Sequence, residues 1–198
     1  MADLRSRLVA ALGRPGHGSS DFDLNPGVGP PKGRPLRAAA VLVPVIETST
    51  GADVLLTKRS SALSNHPGQV AFPGGKVDDA DAGTVDAALR EANEEIGLDP
   101  ANVDVLGAFA PHITVTGFEI TPVVGLIKSP FRPVAEPGEV AEVFTAPFAH
   151  VTDPGNFRIE GRQWQGMTRR YYAVPWGAYY IWGATARMLR VLADGLPR

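Results

Sequence analysis

Ala38 to Ile46 is an almost unbroken apolar run with several β-branched residues, the pattern of a strand buried on both faces. Ala52 to Thr57 is a second such run, and the polar Thr48 to Gly51 between them predicts a hairpin. Gln69 to Phe72 predicts a short strand. Val103 to Ala110, Glu119 to Ile127 and Val140 to Thr145 predict three more, and Phe157 to Trp164 with Arg170 to Val174 a late hairpin. Between these strands the period changes. Val85, Ala88, Leu89, Ala92 and Ile96 recur at helical spacing and form one apolar stripe. Asp81 or Thr84 is its expected N-cap, and Gly97 its stop. Trp176 to Leu196 reads as a long, largely apolar terminal helix. Strands on both sides of a central helix, closed by another helix, predict an α/β fold with a mixed sheet between helices.

The leader has a different character. Residues 2–12 carry Leu4, Leu8 and Leu12 at i, i+4 and i+8, a short helix; residues 13–36 are dense in Gly and Pro and read as an extended arm. Phe22 and Leu24 could anchor that arm. The expected organisation is a leader, 1–36, and one domain, 37–198. Composition changes this picture little. The chain has 198 residues, 44% hydrophobic and 20% charged, and a formal charge of -2. Such a balance gives no footprint for nucleic acid or an anionic membrane. With no cysteine, thiolate metal sites and cysteine nucleophiles are excluded. No apolar stretch approaches the roughly 18 residues of a membrane span, and the leader lacks the form of a secretory signal, so the expected location is cytoplasmic.

Chemistry enters with Glu91, Glu94 and Glu95. At i, i+3 and i+4 they share one arc of about 100° on a helix. Like charges at that spacing repel by a few tenths of a kcal/mol per pair, roughly. A solvated acidic face is one reading. A divalent cation is the other, since Mg²⁺ takes carboxylate oxygens, keeps several waters and is completed by phosphates. Arg90 stands four residues before Glu94 and could orient it.

Arg90-Glu91-Ala92-Asn93-Glu94-Glu95-Ile96-Gly97-Leu98, behind Phe72-Pro73-Gly74-Gly75, resembles the Nudix box of the Nudix hydrolases. Those enzymes cleave nucleoside diphosphates linked to another moiety, using Mg²⁺ or Mn²⁺. The nine residues match at every specified position. The upstream half departs: Gly75 and Asp81 are spaced as in the family, but the loop to Arg90 is one residue longer, and Asp stands where Glu is usual, with Asp78 and Asp79 competing for the role. A second stretch is similar to the motif preceding the box in the coenzyme A pyrophosphatase subfamily: Leu55 to Ser60, Leu63, His66, Gly68, Val70 and Phe72 to Gly75. Ser64 stands where that subfamily commonly has Arg. Ile181 to Arg187 is also similar to it.

The resemblance implies an α/β/α sandwich of the Nudix type. It implies Glu91, Glu94 and Glu95 as metal ligands, with Gly75 adding a backbone carbonyl. A further acid is expected from outside the helix, among Glu136, Glu139 and Glu142. Glu139 is favoured because Glu139 to Phe144 is similar to the family's corresponding segment. Glu94 and Glu139 both stay open as the general base. Arg59 is a candidate phosphate clamp, since its planar fork can bond two oxygens; His66 and Phe72 are candidate substrate contacts, with core packing the other reading of Phe72. The implied reaction cleaves coenzyme A or acyl-CoA into 3',5'-ADP and 4'-phosphopantetheine or its acyl form. Alternatives are a pyrophosphatase acting on ADP-ribose or NADH, or a non-catalytic nucleotide-binding module. The apolar leader and terminal helix suit a homodimer.

Overall fold

A computed structural model describes residues 3–14, 18–30, 33, 35–63, 66–164 and 166–197. The elements in chain order are α1 (Leu4–Leu12), β1 (Ser19–Ser20), β2 (Arg37–Thr48), β3 (Gly51–Arg59), β4 (Val70–Ala71), β5 (Gly74–Lys76), α2 (Thr84–Ile96), β6 (Val103–Ala108), β7 (His112–Ile113), β8 (Phe118–Ile127), β9 (Val140–Pro147), α3 (Phe148–Val151), β10 (Arg158–Trp164), β11 (Met167–Ala173) and α4 (Gly183–Gly195). The main sheet runs β1-β7-β8-β2-β3-β4, with β5 also paired to β2, β6 to β8 and β9 to β3. It is mixed: β2 is parallel to β8 and antiparallel to β3 and β5. β10 and β11 form a separate antiparallel ribbon.

The apolar run of β2 explains the layering. Successive side chains alternate faces. Val41, Val43 and Val45 join Val54 and Leu56 of β3 in a core with Leu8 of α1, Phe148 of α3 and Leu189 and Leu192 of α4. Ala40, Leu42 and Leu55 face the other way, onto Ala87, Ala88, Ala92 and Ile96 of α2. Both faces are covered, giving the α/β/α sandwich expected from the sequence. No helix among the described residues is long and apolar enough to cross a membrane.

The arm is strapped down rather than free. β1 pairs in parallel with β7. Ser19 Oγ lies 2.9 Å from Nδ1 of the fully buried His112, whose Nε2 is 3.2 Å from Asp21 Oδ1. Asn25 bridges to the ribbon: its side-chain amide donates to Arg170 O at 2.9 Å and accepts from Arg170 N–H at 2.8 Å. Phe22 is buried and Leu24 half-buried. Arm and ribbon enclose a groove of about 390 Å³ containing Leu24, Val28, Val115 and Met167.

Three local expectations fail. The terminal helix starts at Gly183, not Trp176; Trp176 and Tyr179 instead close a turn, each N–H bonded to the other's carbonyl at 2.9 Å. Aromatic spacing mimicked a helical stripe there. Neither Asp81 nor Thr84 caps α2; Gly83 occupies that position, and Asp86 reaches back to the Ala82 N–H. Val85 is exposed, while Glu95 is buried in its stead.

Candidate functional site

The Gly74-Gly75 segment is part of a strand. In β5, Gly75 stands opposite Ala40 of β2. That ladder carries the chain under α2, where a side chain would not fit: a Cβ on Gly75 would overlap the Glu91 carboxylate. Small residues also set the helix. The face of α2 against the sheet is mostly alanine, so the helix can lie close to it. Gly97 ends it in the left-handed region, φ 67°, with its N–H returning to Asn93 O at 2.9 Å.

Arg90 organises the acids. Its Nε donates to Asp81 Oδ1 at 2.8 Å and its Nη2 to Asp81 Oδ2 at 3.0 Å, a two-pronged pairing. Nη1 donates to Glu91 Oε1 at 3.1 Å and to Glu94 Oε2 at 3.0 Å, and Nη2 also reaches Lys76 O at 3.1 Å. Among the competing aspartates, Asp81 takes the short bonds; Asp78 stays 3.6 Å from the guanidinium. The longer loop therefore still returns an acid to Arg90. The Arg90 bond holds the Asp81 carboxyl below the usual range, and Asp81 in turn raises the already high pKa of Arg90.

Glu95 is only 4% exposed, and its Oε2 accepts the Gly74 N–H at 3.2 Å. Burial pushes its carboxyl up to about 7; the Gly74 N–H opposes that shift, the Glu91 charge adds to it, Arg59 opposes it and Glu139 adds again. Glu91 is also raised, first by burial, against the pull of Arg90 and with help from Glu94 and Glu139. Glu139 thus bears electrostatically on both Glu91 and Glu95, and Arg59 on Glu95. Glu94 is the most open of the three helix acids, its side chain 57% exposed.

Among the described residues no three Asp, Glu or His side chains close into a preformed metal cage. The donor chemistry nevertheless fits a hard divalent cation. Glu95, buried, and Glu91, partly buried, are raised first by burial and further by neighbouring acids, and a glycine leaves space beside Glu91 that a Cβ would fill. A cation relieves that repulsion, and Mg²⁺ draws its remaining oxygens from water and phosphate.

Other candidates separate. Glu142 is bonded by the Tyr179 hydroxyl, and Tyr179 stacks on Phe144, which belongs to the core opposite α2. Of the two readings of Phe72, substrate stacking and core packing, the structure supports packing: it is 3% exposed and lies in that same core, so it offers no ring face to a substrate. His66 is exposed on the loop from β3 to β4, with φ 55°. Ser64 falls outside the described residues.

The sequence profile of the NUDIX domain matches residues 36–164. The chain belongs to the Nudix family. A Nudix hydrolase NudL of Cronobacter sakazakii, itself uncharacterized, is 45% identical over 157 residues, covering 79% of this chain and 81% of its own length. An Escherichia coli NudL is 42% identical over the same span. Among solved structures, the Mycobacterium smegmatis Nudix hydrolase RenU superposes with a TM-score of 0.51 at 27% identity, covering 62% of this chain and 80% of that one. A MutT/nudix family protein from Enterococcus faecalis gives 0.52 at 18% identity, over 84% and 63%, a likeness of fold. As a Nudix hydrolase this protein acts on pyrophosphate bonds.

Proposed function

We propose that this Nudix hydrolase is a divalent-metal-dependent pyrophosphohydrolase acting on coenzyme A or acyl-CoA, releasing 3',5'-ADP and 4'-phosphopantetheine or its acyl form. The observation that carries the reading is the gathering of Glu91, Glu94 and Glu95 around Arg90 and the Gly74-Gly75 strand. The motif shared with the coenzyme A subfamily spans β3, β4 and β5, so the stretch that resembles that subfamily leads directly into the acid cluster.

Glu91, Glu95 and Glu94, with the Gly75 carbonyl, are the groups to hold Mg²⁺ or Mn²⁺. A cation held there would neutralise phosphate charge and lower the pKa of a water bound to it. The remaining work falls to side chains of this chain. Arg90 keeps Glu91 and Glu94 aligned through bonds to both. Arg59 sets a positive charge opposite the phosphates. Glu139 or Glu94 takes the proton of the attacking water. We assign no substrate contact to Phe72; His66 remains a candidate contact from the β3–β4 loop. A cytoplasmic location and a homodimer complete the proposal.

The test is hydrolysis by the purified protein with Mg²⁺, comparing coenzyme A, dephospho-coenzyme A, ADP-ribose and NADH by product chromatography. Preference for coenzyme A over its dephospho form supports recognition of the 3'-phosphate. Equal or better cleavage of ADP-ribose or NADH sinks the coenzyme A assignment and leaves the reaction class standing. Nucleotide binding with no turnover of any of the four would make the protein a binding module.

A further inference from the structure

The last carbonyls of a helix lack intrahelical donors and must find others. In α2 two of them are met by a distant loop. Val134 N–H donates to Ile96 O at 3.0 Å, and Glu136 N–H donates to Glu95 O at 2.9 Å. The peptide of a proposed metal ligand is therefore a docking point for the chain that carries Glu139.

Glu136 then folds the chain over itself. Its Oε2 accepts the Glu139 N–H at 2.8 Å, and its main-chain oxygen accepts from Glu139 at 3.1 Å and Val140 at 2.8 Å. A Cβ on Gly138 would stand 3.0 Å from Glu136 Oε2, so the turn closes tightly around that carboxylate. On the far side Ser60, next to Arg59, donates its N–H to Glu139 O at 2.8 Å. Both peptide groups flanking the Glu139 side chain are thereby fixed, one by Glu136 and one by the end of β3.

We propose that Glu136 is a positioning residue for Glu139. Its main chain takes its place from α2, and its carboxylate fixes the Glu139 peptide, so the acid from outside the helix stands at a set distance from Glu91 and Glu95. This rests on the hydrolase reading above. The role asks for an acceptor, not a charge. Glutamine therefore substitutes for it, as it would not for a metal ligand or a base.

The test compares Glu136→Ala, Glu136→Gln and Glu139→Gln in the full chain. Amide hydrogen exchange is followed by NMR, and kcat and KM are measured on whichever diphosphate the wild type cleaves. Glu136→Ala should lose protection at the Glu139 amide and lose about ten- to a hundredfold in kcat, with KM within about twofold. Glu136→Gln should keep both the protection and most of kcat. In a Glu139→Gln background, Glu136→Ala should cost nothing further. Unchanged exchange at Glu139 in Glu136→Ala overturns the proposal, as does Glu136→Gln as inactive as the alanine variant. Failure of the wild type to cleave any diphosphate would instead overturn the hydrolase reading, while the exchange result still decides whether Glu136 holds the loop.

Discussion

Replacing Gly75 by alanine tests the site at its tightest point. The new Cβ would stand 2.5 Å from Glu91 Cδ and 2.7 Å from Oε2, where ordinary contact begins at 3.4 Å. Glu91 Oε1 lies nearer still, so the carboxylate must retreat by about 1 Å. It can do so, because the obstacle is the end of a side chain rather than main chain. The strand itself should survive, since Gly75 stays in register with Ala40 and its φ is not in the left-handed region. Overpacking of this kind costs on the order of 1–3 kcal/mol, a drop in melting temperature of several degrees for a chain of this size. Catalysis should suffer more. A misplacement approaching 1 Å costs about a hundredfold in rate. Steady-state hydrolysis at saturating Mg²⁺, beside a thermal melt, separates the two effects. A Gly75→Ala enzyme with kcat within about threefold of wild type would refute the argument that this glycine exists to seat Glu91.

Arg90→Lys keeps the charge but not the fork that spans Asp81, Glu91 and Glu94. It should lose most activity and melt lower than wild type, and a fully active lysine variant would show that the fork is dispensable. Chelation with EDTA should abolish turnover and Mg²⁺ restore it. Mg²⁺ at a hundredfold its Kd should stabilise the wild type by about 2.7 kcal/mol, and Glu95→Gln should show a much smaller rise in melting temperature. Burial alone would raise the Asp21 carboxyl, but bonds from His112 and the Val115 N–H outweigh it and hold it below its ordinary value. Its contribution to stability is thus complete above pH ~4 and lost as pH falls through the lowered value. Melts between pH 3 and 7 should show a steeper acid loss in wild type than in Asp21→Asn, and parallel curves would remove Asp21 from the account.

Much of the sheet was legible because its strands are buried on both faces, which turns apolar alternation into nearly continuous runs such as Ala38 to Ile46. The three glutamates were legible because repulsion at helical spacing demands a reason. What escaped depended on where side chains end rather than where they begin. Val85, read as part of the apolar stripe, is exposed, and Glu95, on the flank of that stripe, is buried. The spacing from Gly75 favoured Asp81, but the lengthened loop to Arg90 left Asp78 and Asp79 in competition, and the reach of Arg90 makes the choice. Phe72 read either as a ring next to the site or as core, and its place in the core opposite α2 decides for packing. Trp176 and Tyr179 kept a helical period without a helix, because Pro175 and Gly177 shape a turn there.

The strap at Ser19, Asp21 and Asn25 bears on where the protein can be cut. The span that matches the family profile begins at residue 36 and stops at 164. A fragment trimmed to it would strip Ser19 and Asp21 from His112, leaving a fully buried imidazole with neither of its partners. It would also remove Leu8, Leu189 and Leu192 from one face of the sheet, opening the core to water. The recognisable stretch and the stretch that can stand alone are different lengths of chain. Trimming to the former should yield aggregation in place of a smaller enzyme.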